Sequence, residues 1–273
     1  MLKEKFDNLR QKGALVHNIT NYVTVNDVAN VLLASGASPI MSDDSGEVCD
    51  ITAICGGLNI NIGTLNQNTI PAMFAAGTKA NQLGHMVLLD PVGAGASPLR
   101  TNTALQLIER VKFNVIRGNI SEIKALAIGS DTTKGVDADI ADAVTDDNLK
   151  ESAAFAEAFA RKKECIIAIT GAIDLVTDGT KCYVIRNGRP EMSRITGTGC
   201  QLSALITAFL VANPDDQLEA AAAAVCAMGL AGETGWARMV PGDGNSTYRN
   251  RIIDAISNMD GETLEAGAEY EII

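Results

Sequence analysis

The residues with the clearest chemical meaning form a glycine-rich hexapeptide, Ile195-Thr196-Gly197-Thr198-Gly199-Cys200, which runs directly into the apolar segment Gln201–Ala212. Glycine lets the backbone turn tightly and approach a ligand closely. A helix that begins right after such a turn points free N–H groups and a partial positive charge at the ligand, which suits phosphate. Cys200 falls at the predicted helix start, where a thiol becomes more acidic. The pattern suggests phosphoryl transfer to a small alcohol; the alternative is a loop with a buried cysteine.

The elements that must position this loop are short apolar runs that alternate with longer amphipathic ones. This alternation predicts an α/β fold with a mainly parallel sheet covered by helices on both faces. A hairpin is expected at one edge, from Leu175–Thr177 and Cys182–Arg186. The other predicted strands are Ala14–His17, Ser38–Met41, Ile51–Ile54, Leu58–Ile62, Met86–Asp90, Asn114–Arg117 and Ile166–Thr170. The predicted helices are Thr24–Ser35, Asn68–Leu83, Thr101–Arg110, Asn119–Ile128, Leu149–Lys162, Gln201–Val211, Gln217–Gly232 and Tyr248–Ser257.

Length and composition set the outer bounds. The 273 residues are 47% apolar and 20% charged, as in globular proteins, and no linker or repeat divides them. We therefore predict one domain, residues 1–273. The polar stretch Gly129–Asp147 is expected to be a loop with short helical turns. The acidic end, Asp260–Ile273, is expected to be a solvated tail or an exposed last element.

The charge and the cysteines exclude several classes of protein. The net charge is −11 and the basic residues form no cluster, which argues against a nucleic-acid surface. The N-terminal residues lack the apolar core of a signal peptide, and the longest apolar run is about half the length needed to span a bilayer. Six scattered cysteines and two histidines predict neither a zinc site nor a disulfide framework. We expect a cytoplasmic protein with no membrane association.

Polar residues stand at the ends of several predicted strands: Asp90, Arg117, Thr170 and the pair Asn59 and Asn61. Open parallel sheets bind ligands beyond the carboxyl ends of their strands, so these side chains should converge on one rim. Asp90 opens Asp-Pro-Val-Gly-Ala-Gly and could hold Mg²⁺, which prefers hard oxygen ligands. The alternative is a carboxylate that accepts backbone N–H bonds in a turn.

A second cluster is Arg117-Gly118-Asn119-Ile120-Ser121-Glu122. Asn119 is a good helix N-cap, and Glu122 lies three residues further on, as in a capping box. On the functional interpretation, Glu122 positions a metal-bound water near phosphates and Arg117 grips a phosphate. Both interpretations remain open from the sequence.

The segment Val16–Val23 follows a predicted strand and precedes a helix. Its polar and apolar side chains could cup a small heteroaromatic ring. The alternative is that Thr20 or Asn21 caps the next helix and that His17 is hydrogen-bonded in place. Met41, which ends Ser38-Pro39-Ile40-Met41, is more typical of a core residue than of a ligand contact when it is taken alone.

Together these motifs resemble a known family. Asn-x-x-Glu at Asn119 to Glu122, with a glycine loop before a late helix, is similar to the ribokinase-like superfamily, in which that loop mostly ends in the catalytic base, Asp. Here the loop ends in Cys200. That departure resembles the hydroxyethylthiazole kinases of thiamine salvage, and the similarity extends from about Leu15 to Ala255. The motifs that carry it are V-H-N-I-T-N-Y-V, S-P-I-M, D-P-V-G-A-G and I-T-G-T-G-C.

The resemblance implies a ribokinase-like three-layer sandwich that transfers the γ-phosphate of ATP to the hydroxyl of 4-methyl-5-(2-hydroxyethyl)thiazole, with Mg²⁺. It also implies a homotrimer with the substrate pocket at the subunit interface. By motif position, Cys200 stands where the superfamily has its base, although a loose transition state needs little help from a base. The implied nucleotide and metal residues are Asp90, Arg117, Glu122 and Thr170, of which Asp90 and Glu122 hold the metal. The implied anion hole is Gly197, Thr198 and Gly199, and the implied thiazole contacts are Met41, Gly197, Asn21 and Val23.

Three other functions are alternatives to a thiazole kinase. A related kinase could act on hydroxymethylpyrimidine or pyridoxal. An NAD-dependent oxidoreductase would need a complete glycine fingerprint, but the third glycine after Gly93 and Gly95 is missing. A non-catalytic binding protein is disfavoured by the intact Asp90, Glu122 and glycine loop. The chain has no Gly-Lys pair, which excludes a P-loop kinase.

Overall fold

A computed structural model describes residues 2–129 and 143–273 of the chain. Nine strands form one sheet in the order β2-β1-β3-β4-β5-β6-β7-β8-β9. The strands are β1 (Leu15–Ile19), β2 (Ser38–Met41), β3 (Gly57–Asn61), β4 (Met86–Asp90), β5 (Val115–Gly118), β6 (Ile166–Ile169), β7 (Asp174–Thr177), β8 (Cys182–Ile185) and β9 (Tyr270–Ile272). The pairings from β2 through β6 are parallel, and those from β6 through β9 are antiparallel.

Helices cover both faces of this sheet, so the molecule has three layers. The helices are α1 (Leu2–Lys12), α2 (Val25–Ser35), α3 (Val48–Ile54), α4 (Thr69–Leu83), α5 (Pro98–Arg110), α6 (Ile120–Gly129), α7 (Leu149–Lys163), α8 (Thr198–Ala212), α9 (Gln217–Ala237), α10 (Asn245–Asn258) and α11 (Gly261–Gly267). Two short 3₁₀ segments, Asp146–Asn148 and Pro190–Arg194, complete the described elements. The predicted α/β sandwich with a mainly parallel sheet is confirmed.

Two separate apolar cores lie on the two faces of the sheet. Strand β4 shows the alternation that creates them, because Leu88 belongs to one core and Val87 and Leu89 to the other. The first core is built largely from α1, α2, α8, α9 and α10, and the second from α4 to α7. Helix α8 is apolar nearly all round and almost wholly buried, which is typical of a helix in the middle of a layer.

The register of the sheet brings most of the predicted polar residues to one rim. The exception is Asn59, which lies inside β3, opposite Leu88, and donates to Asn18 Oδ1. Asn61 pairs with Asp90 across β3 and β4, and Arg117 pairs with Ala168 across β5 and β6. Thr170 follows β6, and its backbone N–H donates to the carbonyl of Gly118. The carboxyl ends of these neighbouring strands therefore form one edge, as parallel pairing requires.

The predicted strand Ile51–Ile54 is wrong, because these residues are the last turn of helix α3. A run of four residues with three apolar side chains fits a strand or a helix equally well. The helical spacing is visible in hindsight: Val48 and Thr52, four residues apart, are buried, whereas Ile54 is largely exposed. The Thr52 hydroxyl also donates to the Val48 carbonyl within this helix.

The chain ends differ in part from expectation. Helix α1 was not predicted, although Leu2, Phe6 and Leu9 give it one buried apolar face. At the other end, α11 and the exposed strand β9 form the last elements, and β9 covers the outer side of the β7–β8 hairpin. Most of the predicted loop Gly129–Asp147 lies outside the described residues. None of the helices in residues 2–129 and 143–273 combines the length and the apolarity needed to cross a bilayer.

Candidate active site

The glycine loop opens helix α8 as predicted, and the helix begins at Thr198 rather than at Gln201. Gly197 is the N-cap residue and has φ +92°, a left-handed conformation that favours glycine. A Cβ at Gly197 would lie 2.5 Å from Thr24 Cγ2, and one at Gly199 would lie 2.5 Å from Arg117 Nη1. Close approach to two other elements therefore requires both glycines. The first N–H groups of α8 have no partners within the helix, so its first turn is suited to an anion.

Asp90 ends strand β4 and is completely buried. Its Oδ2 accepts hydrogen bonds from Asn61 Nδ2 and Ser203 Oγ, each at 2.8 Å, and lies 3.7 Å from Arg117 Nη1. Its Oδ1 is equally buried and has no hydrogen-bond partner among the residues that the structure describes. Burial raises the pKa of Asp90 to about 6, although the nearby Arg117 guanidinium and the two donors oppose this shift. The carboxylate is thus oriented by its surroundings and left with one free oxygen.

Arg117 joins three parts of the rim. It extends from the end of β5, donates to the Thr170 hydroxyl, and lies beside Gly199 at the start of α8. Its side chain is only 12% exposed. A guanidinium held in this way presents its remaining donors in a fixed fork, which suits a phosphate.

Both interpretations of Glu122 find support in its contacts. Asn119 N donates to Glu122 Oε2 at 2.9 Å and Glu122 N donates to Asn119 Oδ1 at 2.8 Å, which is a reciprocal capping arrangement. Glu122 Oε1 also accepts from Gly93 N at 2.8 Å, so it ties the loop after Asp90 to α6. The charge of Glu122 contributes to the raised pKa of Asp90, so the two carboxylates lie near each other.

This donor set fits a magnesium ion. Asp90 Oδ1 is a buried carboxylate oxygen that lacks a partner among the described residues, and the second acid, Glu122, lies nearby. Within residues 2–129 and 143–273 there is no cluster of three or more acidic, histidine or cysteine side chains that could bind a metal alone. Mg²⁺ does not need one, because it keeps several waters and binds through one or two carboxylates together with phosphates.

Cys200 is the third residue of α8, and its thiol is nearly buried. Asn21 Nδ2 donates to Cys200 Sγ at 3.2 Å and to Asn61 Oδ1 at 3.2 Å, so the thiol is connected to Asp90 through two asparagines. The expectation of an acidic thiol is wrong. Burial first, and then the Asp90 charge, raise the pKa of Cys200 in spite of the donors around it. The thiol is therefore neutral near pH 7.

A small cavity of about 160 Å³ lies beside the N-terminal segment, and Met41 lines it together with Asn18, Thr20, Tyr22 and Ser42. Asn21 points instead toward Cys200, and its Oδ1 accepts from the backbone N–H of Thr24, the residue just before α2.

His17 is hydrogen-bonded in place, with its ring nitrogens 2.9 Å from Thr52 Oγ1 and from the Ser42 carbonyl oxygen. Val23 is 57% exposed and lies outside the lining of the small cavity. Of the four predicted thiazole contacts, only Met41 lines the small cavity. Asn21 contacts Cys200, and Gly197 lies against Thr24. Val23 lies on the surface.

A large cavity of about 660 Å³ includes the start of α8 in its lining. Arg117, Thr170, Thr198 and Gly199 line one part of it. The opposite part is lined by residues that the sequence did not single out: Asp174, the loop from Asn187 to Ser193, and Met228 and Gly229 of α9.

Two of the residues that the sequence analysis missed carry recognisable signals. Asp174 accepts from Gly171 N at 2.8 Å, and burial raises its pKa to about 7. It is the first residue of β7, which runs antiparallel to β6, so it lies at the same rim as Thr170, where ligands bind. Ser203 lies three residues after Cys200, and helix periodicity places it on the same face as the thiol. The loop after β8 carried no comparable signal.

The fold and the rim of polar side chains define a small-molecule kinase of the ribokinase-like class. A pyridoxal kinase structure from Staphylococcus aureus shares this fold at 15% identity, with a TM-score of 0.62 over 95% of this chain and 98% of the other. The chain belongs to the hydroxyethylthiazole kinase family, whose family model matches residues 6–262. It is 61% identical to a hydroxyethylthiazole kinase from Clostridium acetobutylicum over 99% of both chains. It is 32% identical to the structure of such a protein from Pyrococcus horikoshii, with a TM-score of 0.88 over 100% of this chain and 98% of that one.

Proposed function

We propose that the protein transfers the γ-phosphate of ATP to the hydroxyl of 4-methyl-5-(2-hydroxyethyl)thiazole, and so supplies the thiazole phosphate for thiamine synthesis by salvage. The observation that carries this proposal is the position of the start of α8. Thr198 and Gly199 line the large cavity, whereas Cys200 contacts Asn21 in the segment that borders the small one. A phosphate donor and an alcohol bound in the two cavities would meet at this helix terminus.

The large cavity takes the nucleotide in this proposal. Arg117 and Thr170 bind its phosphates, and the N–H groups at Gly197, Thr198 and Gly199 form the anion hole for the charge that develops during transfer. Asp90 and Glu122 hold Mg²⁺. The ion, when bound, neutralises charge on the phosphates.

The small cavity takes the thiazole alcohol. Met41 and Gly197 contact the ring, with Asn21 and Val23 shaping the site. Because burial keeps the thiol of Cys200 neutral, its sulfur accepts a hydrogen bond from the alcohol O–H rather than removing the proton in advance. A primary alcohol can keep its proton until late in a loose transition state, so orientation matters more here than basicity.

The alcohol side of the site is completed by a second subunit in this proposal. Tyr22 lines the small cavity and is 78% exposed, and the neighbouring Val23 is 57% exposed. Two adjacent apolar side chains that lie open at the mouth of a cavity are suited to cover by another protein surface. We propose that this surface is another copy of the chain in a cytoplasmic homotrimer, in which residues 1–273 of each copy form one kinase domain.

The test is to incubate the purified protein with Mg²⁺ and ATP in the presence of the thiazole alcohol, hydroxymethylpyrimidine or pyridoxal. Phosphorylated products are then measured by mass spectrometry. We expect kcat/KM for the thiazole alcohol to exceed the other two by more than tenfold. Equal or faster turnover of the pyrimidine or of pyridoxal would show that the acceptor has been assigned wrongly. Asp90→Asn, run in parallel, controls for contaminating kinases.

A further inference from the structure

Asp90 is held from two different elements at a single oxygen atom. Asn61 Nδ2 reaches Oδ2 from β3, and Ser203 Oγ reaches the same oxygen from α8, each at 2.8 Å. Arg117 Nη1 lies 3.7 Å from the same oxygen, Oδ2. Oδ1 has no such contact among the described residues, although it is just as deeply buried. The carboxylate is therefore satisfied on one side only.

The Asn61 amide is itself fixed in one orientation. Its Oδ1 accepts from the backbone N–H of Gly63 at 2.8 Å, and a backbone N–H can only donate. Asn21 Nδ2 donates to the same oxygen at 3.2 Å. The amide nitrogen of Asn61 must therefore face Asp90, and it cannot flip without losing the bond to Gly63. Asn61 is completely buried, and so is Ser203.

We propose that Asn61 and Ser203 are positioning residues that clamp Asp90 Oδ2 and thereby leave Oδ1 as the single oxygen offered to the divalent cation. This inference rests on the function proposed above, since it assigns a task to residues behind its metal site. Two donors from separate elements prevent the rotation that would exchange the two carboxylate oxygens. Groups behind a metal ligand commonly act in this way, and their loss typically costs about 10- to 100-fold in metal affinity.

The competing explanation is that the two hydrogen bonds serve only to satisfy a buried carboxylate. That explanation predicts a loss of stability without a specific loss of cation binding. The chain provides a matched control in Thr207, which lies on the same helix, is completely buried, and donates through its hydroxyl to the Ser203 carbonyl rather than to Asp90. Thr207→Val removes a buried hydroxyl of the same helix at nearly constant volume.

The experiment measures Mn²⁺ binding by electron paramagnetic resonance in the presence of a non-hydrolysable ATP analogue, without any turnover. Ser203→Ala, Asn61→Ala, Thr207→Val and Asp90→Asn are compared with the wild-type protein, after circular dichroism has confirmed that each is folded. We expect the Mn²⁺ dissociation constant to rise about tenfold in Ser203→Ala and at least as much in Asn61→Ala. It should change less than twofold in Thr207→Val.

A double variant separates the two explanations. If Ser203 acts through Asp90, adding Ser203→Ala to Asp90→Asn should change the Mn²⁺ dissociation constant less than twofold, whereas independent effects would multiply. Unchanged Mn²⁺ binding in Ser203→Ala, or a wild-type protein that binds no Mn²⁺ with the analogue, would overturn the proposal. Failure of the proposed function looks different: the wild-type protein would make no thiazole phosphate while the Mn²⁺ pattern persisted.

Discussion

The large cavity and the small cavity are built to different degrees. On the phosphate side, Asp90, Arg117 and Glu122 are held by defined hydrogen bonds or ion pairs. On the alcohol side, Tyr22 lines a cavity of about 160 Å³ and is open to solvent, as is the neighbouring Val23. The chain thus builds the phosphate side from its own strand ends, where the carboxyl edge of a parallel sheet gathers polar groups. The alcohol side depends on the loop that contains Tyr22 and Val23, and the chain leaves these two side chains exposed.

The largest expected effect is on the phosphate side. Asp90→Asn should lower kcat/KM for the thiazole alcohol by about 10³-fold, because it removes the charge from the carboxylate assigned to the metal. The amide can still occupy the same space and accept from Asn61 or Ser203. Steady-state kinetics with varied Mg²⁺ measures the loss. Activity within tenfold of the wild-type value would place the metal elsewhere.

The same variant should be at least as stable as the wild-type protein at neutral pH. Burial raises the pKa of Asp90 from 3.8 to about 6, so the metal-free folded state binds this proton more tightly than the unfolded state does. The resulting stabilisation is complete below about pH 4 and is lost as the pH rises through 6, and it amounts to roughly 3 kcal/mol. Urea unfolding of both proteins at pH 4.5 and pH 7.5 should show a larger loss in the wild type than in Asp90→Asn, in which Asp174, with a pKa raised to about 7, still titrates.

The next effect tests Glu122, whose carboxylate has both a capping and a proposed metal role. Glu122→Gln should lower kcat by about 10²-fold. It should also lower Tm by a few degrees, since one amide oxygen cannot replace both acceptors used by Gly93 N and Asn119 N. Kinetics and thermal unfolding of the same preparation separate the two losses. A lower Tm with unchanged kcat would show that Glu122 is a cap only.

Cys200 follows Gly199, which lines the large cavity, and contacts Asn21 in the segment that borders the small one. Its substitution should have a smaller effect. Because the thiol is neutral, Cys200→Ala should lose about tenfold in kcat, less than the 10²- to 10⁴-fold typical of a general base. In the wild-type protein, kcat should stay flat between pH 7 and 8.5. This pH range lies below the raised pKa of the thiol, so a thiolate base would make kcat rise about tenfold per pH unit. Such a rise would show that the hydrogen-bond role is wrong.

Cys200→Asp completes this test. A carboxylate at this position would accept the alcohol proton, but it would also add a charge next to the buried Asp90. We expect measurable activity with a raised KM for ATP. If Cys200→Ala had nearly the activity of the wild-type protein and Cys200→Asp were inactive, residue 200 could not be a base.

The difference between the two sides also explains which features the sequence could predict. Strand ends, the glycine loop and the capping pair Asn119 and Glu122 are local patterns, and the structure places them at one rim as expected. Whether Cys200 is acidic depends on how deeply α8 is buried and on the distance to Asp90, which are properties of packing. Ser203 and Asp174 have signals in the sequence, helix spacing and a place beside a strand end, but only the fold shows which groups they contact. The segment Ile51–Ile54 is helical and not a strand, because a mostly apolar run of four residues does not distinguish the two.

The smallest effect, and the one that tests the open side directly, concerns Val23. Val23→Asp places a charge on the surface assigned to the subunit contact, so it should shift the protein from trimer toward monomer in sedimentation velocity. KM for the thiazole alcohol should rise about fivefold, equivalent to about 1 kcal/mol of lost contact. KM for ATP should stay constant because Val23 does not line the large cavity. Leu99→Asp on α5 is the matched control, since Leu99 is 56% exposed against 57% for Val23 and lies away from both cavities.

A wild-type protein that is monomeric and fully active would remove the need for a second subunit. The small cavity would then have to bind the alcohol with Met41 and the Asn18–Tyr22 segment alone.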